Sequence, residues 1–334
     1  MKKTLLILLI ISVPIFFVQA NEAVEVSAEL LEFNIDSIIG YIMDSFTAEF
    51  KTVFTKTPTL FLLLILFGIK SCMDMKESIN KTVALGLFSA TALISIGIFN
   101  ELFAVFKETI SALSNYIYIS IPMLCGLLAG GGMVVTSLKA TFIILSSMNV
   151  ITFLLNHFFI PITQIYLVLS VISSLLENDA LKTLKDNIKA IIKVSLPSII
   201  GIFMALLTIF VNVTKKMDDF SLKSARLAVG SMVPFLGGAL ADSTEVVLNS
   251  IGQLRAQTGI AGLLAMIYIF LLPMLKVISG ILAFKLLSIT AGFLSDKKMA
   301  EYYEDLSAAL SILGGLLATI SVIAIISVVI LIGV

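Results

Sequence analysis

The stretch Ser307-Ala308-Ala309-Leu310-Ser311-Ile312-Leu313-Gly314-Gly315-Leu316-Leu317-Ala318-Thr319-Ile320-Ser321-Val322-Ile323-Ala324-Ile325-Ile326-Ser327-Val328-Val329-Ile330-Leu331-Ile332-Gly333-Val334 contains no charged residue. A helix needs about 20 apolar residues to cross hydrocarbon, and this run exceeds that. Further apolar stretches occupy 58–70, 82–104, 116–136, 139–160, 161–178, 194–213, 227–241, 250–272 and 273–294. Over the 334 residues 59% are hydrophobic and only 13% charged, about half the charge of a soluble domain. These numbers predict an all-α, polytopic membrane protein of about 8–10 transmembrane or re-entrant helices. The 227–241 stretch is short and Gly-rich, so re-entry is an alternative to a crossing there.

Lys2 and Lys3 precede an apolar run from Leu5 to Val18, and Val18-Gln19-Ala20 offers a signal-peptidase site, so 1–20 reads as a signal peptide. An uncleaved anchor is the alternative, and both place 21–57 on the outer face. That segment holds seven acidic residues and two lysines. Leu31, Ile35, Ile38, Ile42, Phe46, Phe50 and Val53 recur at helical spacing. It is an acidic amphipathic helix, expected to pack on the membrane domain (58–334) or on another protein.

Ile121-Pro122-Met123-Leu124-Cys125-Gly126-Leu127-Leu128-Ala129 aligns with Val233-Pro234-Phe235-Leu236-Gly237-Gly238-Ala239-Leu240-Ala241 at an offset of 112 residues, and Pro161 meets Pro273 at the same offset. We read an internal repeat with units at 70–181 and 182–293. Lysines mark the three equivalent junctions: Lys70, Lys76 and Lys81; Lys182, Lys185, Lys189 and Lys193; Lys297 and Lys298. The positive-inside bias puts all three in the cytoplasm. Each unit then has an even number of crossings, the units are parallel, and the C-terminus lies outside.

Chemistry is sparse. Net charge is zero, so a nucleic-acid partner has no electrostatic support and membrane lipid is the expected surroundings. Two cysteines and one histidine exclude a disulfide framework and a Cys/His zinc site. No Walker sequence, His-Glu-x-x-His or Gly-x-Ser-x-Gly occurs, which predicts a non-enzyme without cofactor. His157 reads as structural. Arg226, Asp242, Glu245 and Arg255 surround the Pro234–Gly238 core. Charge near the bilayer centre costs about 2.5–3.5 kcal/mol, so these groups pair, reach an interface or line a polar cavity. Proline and paired glycines break helices, a usual construction of transport sites. Pro122, Gly126, Arg226, Pro234, Gly237, Gly238, Asp242 and Glu245 are therefore the candidate path or gating residues.

The run 221–248, Ser-Leu-Lys-Ser-Ala-Arg-Leu-Ala-Val-Gly-Ser-Met-Val-Pro-Phe-Leu-Gly-Gly-Ala-Leu-Ala-Asp-Ser-Thr-Glu-Val-Val-Leu, strongly resembles the stage III sporulation protein AE family. Leu272-Pro273-Met274-Leu275-Lys276, Phe284-Lys285-Leu286 and Ser295-Asp296-Lys297-Lys298 resemble it too. The resemblance implies a membrane subunit of the sporulation complex, a feeding-tube or secretion-like channel between mother cell and forespore. It also implies a need for the protein in late forespore gene expression and spore formation. The implied place is the mother-cell-derived outer forespore membrane. The implied partners are other stage III A-operon sporulation proteins, including a ring former and a cytoplasmic ATPase, and indirectly stage II sporulation protein Q. The resemblance implies no catalytic residue. An autonomous secondary transporter of a small metabolite is the alternative that the repeat supports equally.

Overall fold

In a computed structural model of the chain, the described residues are 35–73, 76–176, 179–232, 237–294 and 297–333, and side chains are described outside 208–248 and a few further positions. The signal-peptide reading and the start of the acidic segment lie outside them. Every element is helical: α1 (Ile35–Lys56), α2 (Pro58–Cys72), α3 (Glu77–Gly130), α4 (Val134–Leu154), a π-helical turn (Leu155–Phe159), α5 (Ile160–Leu176), α6 (Asp179–Met232), α7 (Gly237–Phe293) and α8 (Lys297–Gly333). The all-α, membrane-spanning expectation holds. Among the described residues, five helical stretches are long and apolar enough to cross a bilayer: Glu77–Gly130, Val134–Leu176, Asp179–Leu207, Asn249–Phe293 and Lys297–Ile332.

The apolar stretches are distributed over fewer, longer helices than their number suggests. The stretch 82–104 and most of 116–136 fuse into α3, 54 residues and about 80 Å long. The linker between them, 105–115, has no Gly or Pro, so nothing ends the ladder. Pro161 does not break its helix either. It has no N–H and its ring crowds the carbonyl of His157, and the chain widens into the π turn, where the Ile160 N–H reaches the Leu155 carbonyl. Pro122, Pro197 and Pro273 all sit inside continuous helices.

Gly130-Gly131-Gly132 ends α3 through a specific cap. Gly132 has φ 88°, a left-handed conformation that costs glycine little. Its N–H donates to the Ala129 carbonyl at 2.9 Å, and that of Met133 to the Leu128 carbonyl at 3.1 Å. These are the two bonds of a Schellman motif.

Cross-helix contacts fix the order along the bundle. Phe88 packs on Tyr302, Phe99 on Phe284 and Ser114 on Thr152. A Cβ on Gly280 would meet Leu310, one on Gly315 would meet Leu196, and one on Gly259 would meet Ile332. The chain therefore rises on α3, falls on α4–α5, rises on α6, falls on α7 and rises on α8. Helix α8 is the central member: Leu310, Leu313, Leu316, Leu317 and Ile320 are fully buried, and it contacts α3, α5, α6 and α7. The amphipathic helix α1 packs on α7, one of its two expected placements.

The three lysine-bearing junctions come together at one end. A Cβ on Gly68, near the end of α2, would lie 2.9 Å from Leu294 just after α7. Lys182 of α6 pairs with Glu301 of α8. One rise and one fall separate consecutive junctions, two crossings in each interval. The even parity survives, and the C-terminus lies at the opposite end. The element boundaries do not confirm the 112-residue repeat: the offset carries the end of α3 at Gly130 to Asp242, inside α7.

Candidate functional site

The first turns of α8 read Lys297-Lys298-Met299-Ala300-Glu301-Tyr302-Tyr303-Glu304-Asp305. Successive helical residues turn by about 100°, so Glu301, Glu304 and Asp305 share one side and the two tyrosines take the other. Each acid meets a lysine from a neighbouring helix. Glu301 pairs with Lys182 at 3.2 Å, Glu304 with Lys285 at 3.6 Å, and Asp305 with Lys185. The i,i+4 acids on α8 face i,i+3 lysines on α6 because these two helices run parallel.

The three pairs differ in burial, and burial decides their worth. The Lys182 and Lys285 pairs are about half exposed, and such pairs contribute ~0–1 kcal/mol. In the third pair the Lys185 side chain is 6% exposed and that of Asp305 14%. The Tyr166 hydroxyl of α5 donates to the second oxygen of Asp305 at 3.5 Å. Asp186 and Lys189 also lie within electrostatic reach of Asp305. A buried pair adds little net stability, whereas removal of one partner strands a charge at a cost of about 3–5 kcal/mol. Lys185, Asp305 and Tyr166 thus lock α6, α8 and α5 to one another at a single depth.

The opposite side of the same segment is apolar with polar tips. Tyr302 packs on Phe88 with ring centroids 5.0 Å apart, and Tyr303 stacks on Phe284 at 6.4 Å. Both tyrosines are fully buried. At the far end of the bundle Arg255 of α7 donates to the Ile332 carbonyl at 3.4 Å, a cation on the C-terminal carbonyls of α8.

The expected site residues fall elsewhere. Pro122 and Gly126 lie on the exposed outer face of α3, and nothing stands within 4 Å of a Cβ placed on Gly126. Pro234 is outside the described residues. The side chains of Arg226, Asp242 and Glu245, and the surroundings of Gly237 and Gly238, are outside them as well. His157 stacks on Phe153 at 4.5 Å, and its Nδ1 lies 3.2 Å from the Phe153 carbonyl, a local contact between the π turn and the end of α4. Of the two lysines in α7, Lys285 is exposed and meets Glu304, and Lys276 is partly buried. Among the described residues no group of three metal-ligating side chains converges.

The α8 cluster was legible only in part. Sequence spacing marks Glu301, Glu304 and Asp305 as one helical face next to an apolar run, but the partners of Glu301 and Asp305 lie about 120 residues away, and that of Glu304 sits on the preceding helix. No periodicity links those positions.

The profile of the stage III sporulation protein AE family matches residues 18–334. The chain belongs to the stage III sporulation protein AE family. It is similar to the stage III sporulation protein AE of Bacillus subtilis (strain 168), with 24% identity over 231 residues. The match covers 68% of this chain and 58% of that relative, so it spans little more than half of the relative's length. No solved structure matches the chain. The family resemblance drawn from 221–248 thus extends over nearly the whole sequence, and the chain is a multi-pass membrane protein of sporulation. The Bacillus relative carries the name of a sporulation protein and not that of an enzyme.

Proposed function

We propose that the chain is a membrane subunit of the channel complex that joins mother cell and forespore, supporting late forespore gene expression. The family match over residues 18–334 is the observation that carries this reading. The bundle suits it: its long helices are held in register by a buried pair and close glycine contacts, as a fixed wall in a membrane requires. In this reading the protein sits in the mother-cell-derived outer forespore membrane. It works there with other stage III A-operon proteins and, through them, with stage II sporulation protein Q. The Pro234–Glu245 region, with Arg226, Pro122 and Gly126, forms or gates the path.

Deletion in the chain's own host should block late forespore reporters and spore formation. Gly238→Leu or Asp242→Leu should do the same at normal protein level. Normal spore yield from both stably expressed variants rejects a role for that region, and normal yield after deletion rejects the function. The buried Lys185–Asp305 pair, near the lysine-bearing end of the bundle, favours a second reading, because buried ionisable pairs are candidates for coupling to an ion or proton. Ion-driven uptake into liposomes by the purified protein alone would select the autonomous transporter.

A further inference from the structure

Between Ile96 and Ile119, about 35 Å of α3, no large apolar side chain is exposed. What the helix turns outward there is polar or small, with Asn100, Glu101, Ala104, Lys107, Glu108 and Ser111 all exposed. Its neighbours do the opposite at the same depth. The Ser114–Thr152 contact sets α4 against α3, and Phe153, Phe158 and Ile165, which follow Thr152 down the bundle, are exposed. A Cβ on Gly280 would lie 2.7 Å from Leu310 and 3.8 Å from Leu102, and one on Gly315, farther along α8, would meet Leu196 of α6. Val194 and Ile202, on either side of Leu196 in sequence, are exposed too. Apolar groups on the outside suit lipid. Ionisable groups in a spanning helix instead face protein or pair with one another.

The placement of charge on this face says which protein it suits. Successive helical residues turn by about 100°, so with Ala104 on the mid-line Ser111 falls close to it. Lys107 then lies about 60° to one side and Glu108 about 40° to the other. Asn100 shares the lysine side and Glu101 the glutamate side. Two copies of one chain insert into a membrane the same way up, so a twofold axis between them runs along the membrane normal and keeps each residue at its own depth. Such an axis sets one flank of the face against the opposite flank of its mate. Lys107 of each copy meets Glu108 of the other, and the Asn100 amide of each donates to Glu101 of the other. A face of one charge sign would repel its own copy. This one complements itself, and the small Ala104 and Ser111 let the two backbones approach.

We propose that the Asn100–Ser111 face of α3 joins two copies of this chain as a twofold dimer within the membrane. The inference stands on the exposed face and its charge pattern and does not depend on the channel reading.

Oxidative cross-linking of the full chain in its own membrane, with Cys72 and Cys125 replaced by Ser, tests it. Ala104→Cys lies at the axis and should give a disulfide-linked dimer, whereas Phe158→Cys, on the apolar outside, should give none. Lys107→Glu and Glu108→Lys each set like charges across the axis, and each should lower the dimer yield about ten-fold at equal protein level. Lys107→Glu with Glu108→Lys in one chain restores both pairs and should restore the yield. A dimer from Ala104→Cys no more abundant than from Phe158→Cys would overturn the contact. So would an adduct with a different protein, or a double swap that recovers nothing. Rapid reaction of Ala104→Cys with a membrane-impermeant thiol reagent in place of cross-linking would mark a water-lined face and overturn it as well.

Discussion

Replacing Lys185 by Met removes one charge from the most buried ion pair among the described residues and keeps most of the side-chain volume. Asp305, 14% exposed, then loses its ion-pair partner and keeps the Tyr166 hydroxyl as its direct contact, with Lys189 and Asp186 acting on it from farther off. The expected loss is about 3–5 kcal/mol, the cost of leaving a buried charge without its partner. At roughly 2 °C per kcal/mol for a chain of this size, that is ~6–10 °C in apparent Tm. Lys182→Met is the internal standard: its pair is half exposed, and the loss should stay within ~1 kcal/mol, about 2 °C. The double variant Lys185→Met/Asp305→Leu removes both charges, so it should recover most of the loss. Thermal unfolding of the wild type, Lys185→Met, Asp305→Leu and the double variant in one detergent supplies the cycle, with Lys182→Met beside it. A Lys185→Met shift no larger than that of Lys182→Met would refute the lock, and so would strictly additive losses in the double variant.

Three further outcomes follow from other contacts. Gly259→Ala drives a Cβ into the Ile332 side chain, so it should cost ~1–3 kcal/mol, and Ile332→Ala in the same chain should relieve most of that in a thermal-shift assay. With Cys72 and Cys125 replaced by Ser, Gly68→Cys with Leu294→Cys should cross-link under mild oxidation, since these positions touch where α2 and α7 end; no cross-link would contradict the gathering of the basic junctions. Pro122→Ala restores an N–H donor inside α3 on an exposed face, so apparent Tm should hold or rise. A fall of several degrees would show that the proline fits its helix better than an alanine does.

The membrane character was readable residue by residue. The charge-free run 307–334 proved to be most of the central helix, and the lysines at 70–81, 182–193 and 297–298 marked ends that meet. The family was legible in 221–248, because proline, paired glycines and charges at fixed spacing are rare in an apolar chain. The number of crossings was not. Gaps in hydropathy at 105–115 come from Lys107 and Glu108, which are exposed on an unbroken helix. Charge alone does not end a helix when the flanking residues favour it. The repeat suffered from the same ambiguity, since matched prolines do not require matched breaks: Pro161 sits just past a π turn and Pro273 inside α7.

Composition and local pattern by themselves determined that this chain is helical, membrane-embedded and of the sporulation family, because those properties depend on what each short segment prefers and what it can bury. Tertiary structure alone decided that Glu301, Glu304 and Asp305 would each find a lysine, and that Tyr302 and Tyr303 would bring their hydroxyls to Thr91 and Ser95. A helix that is apolar almost all round does not announce which face meets which neighbour. Partners more than a hundred residues apart are chosen only when the whole bundle packs.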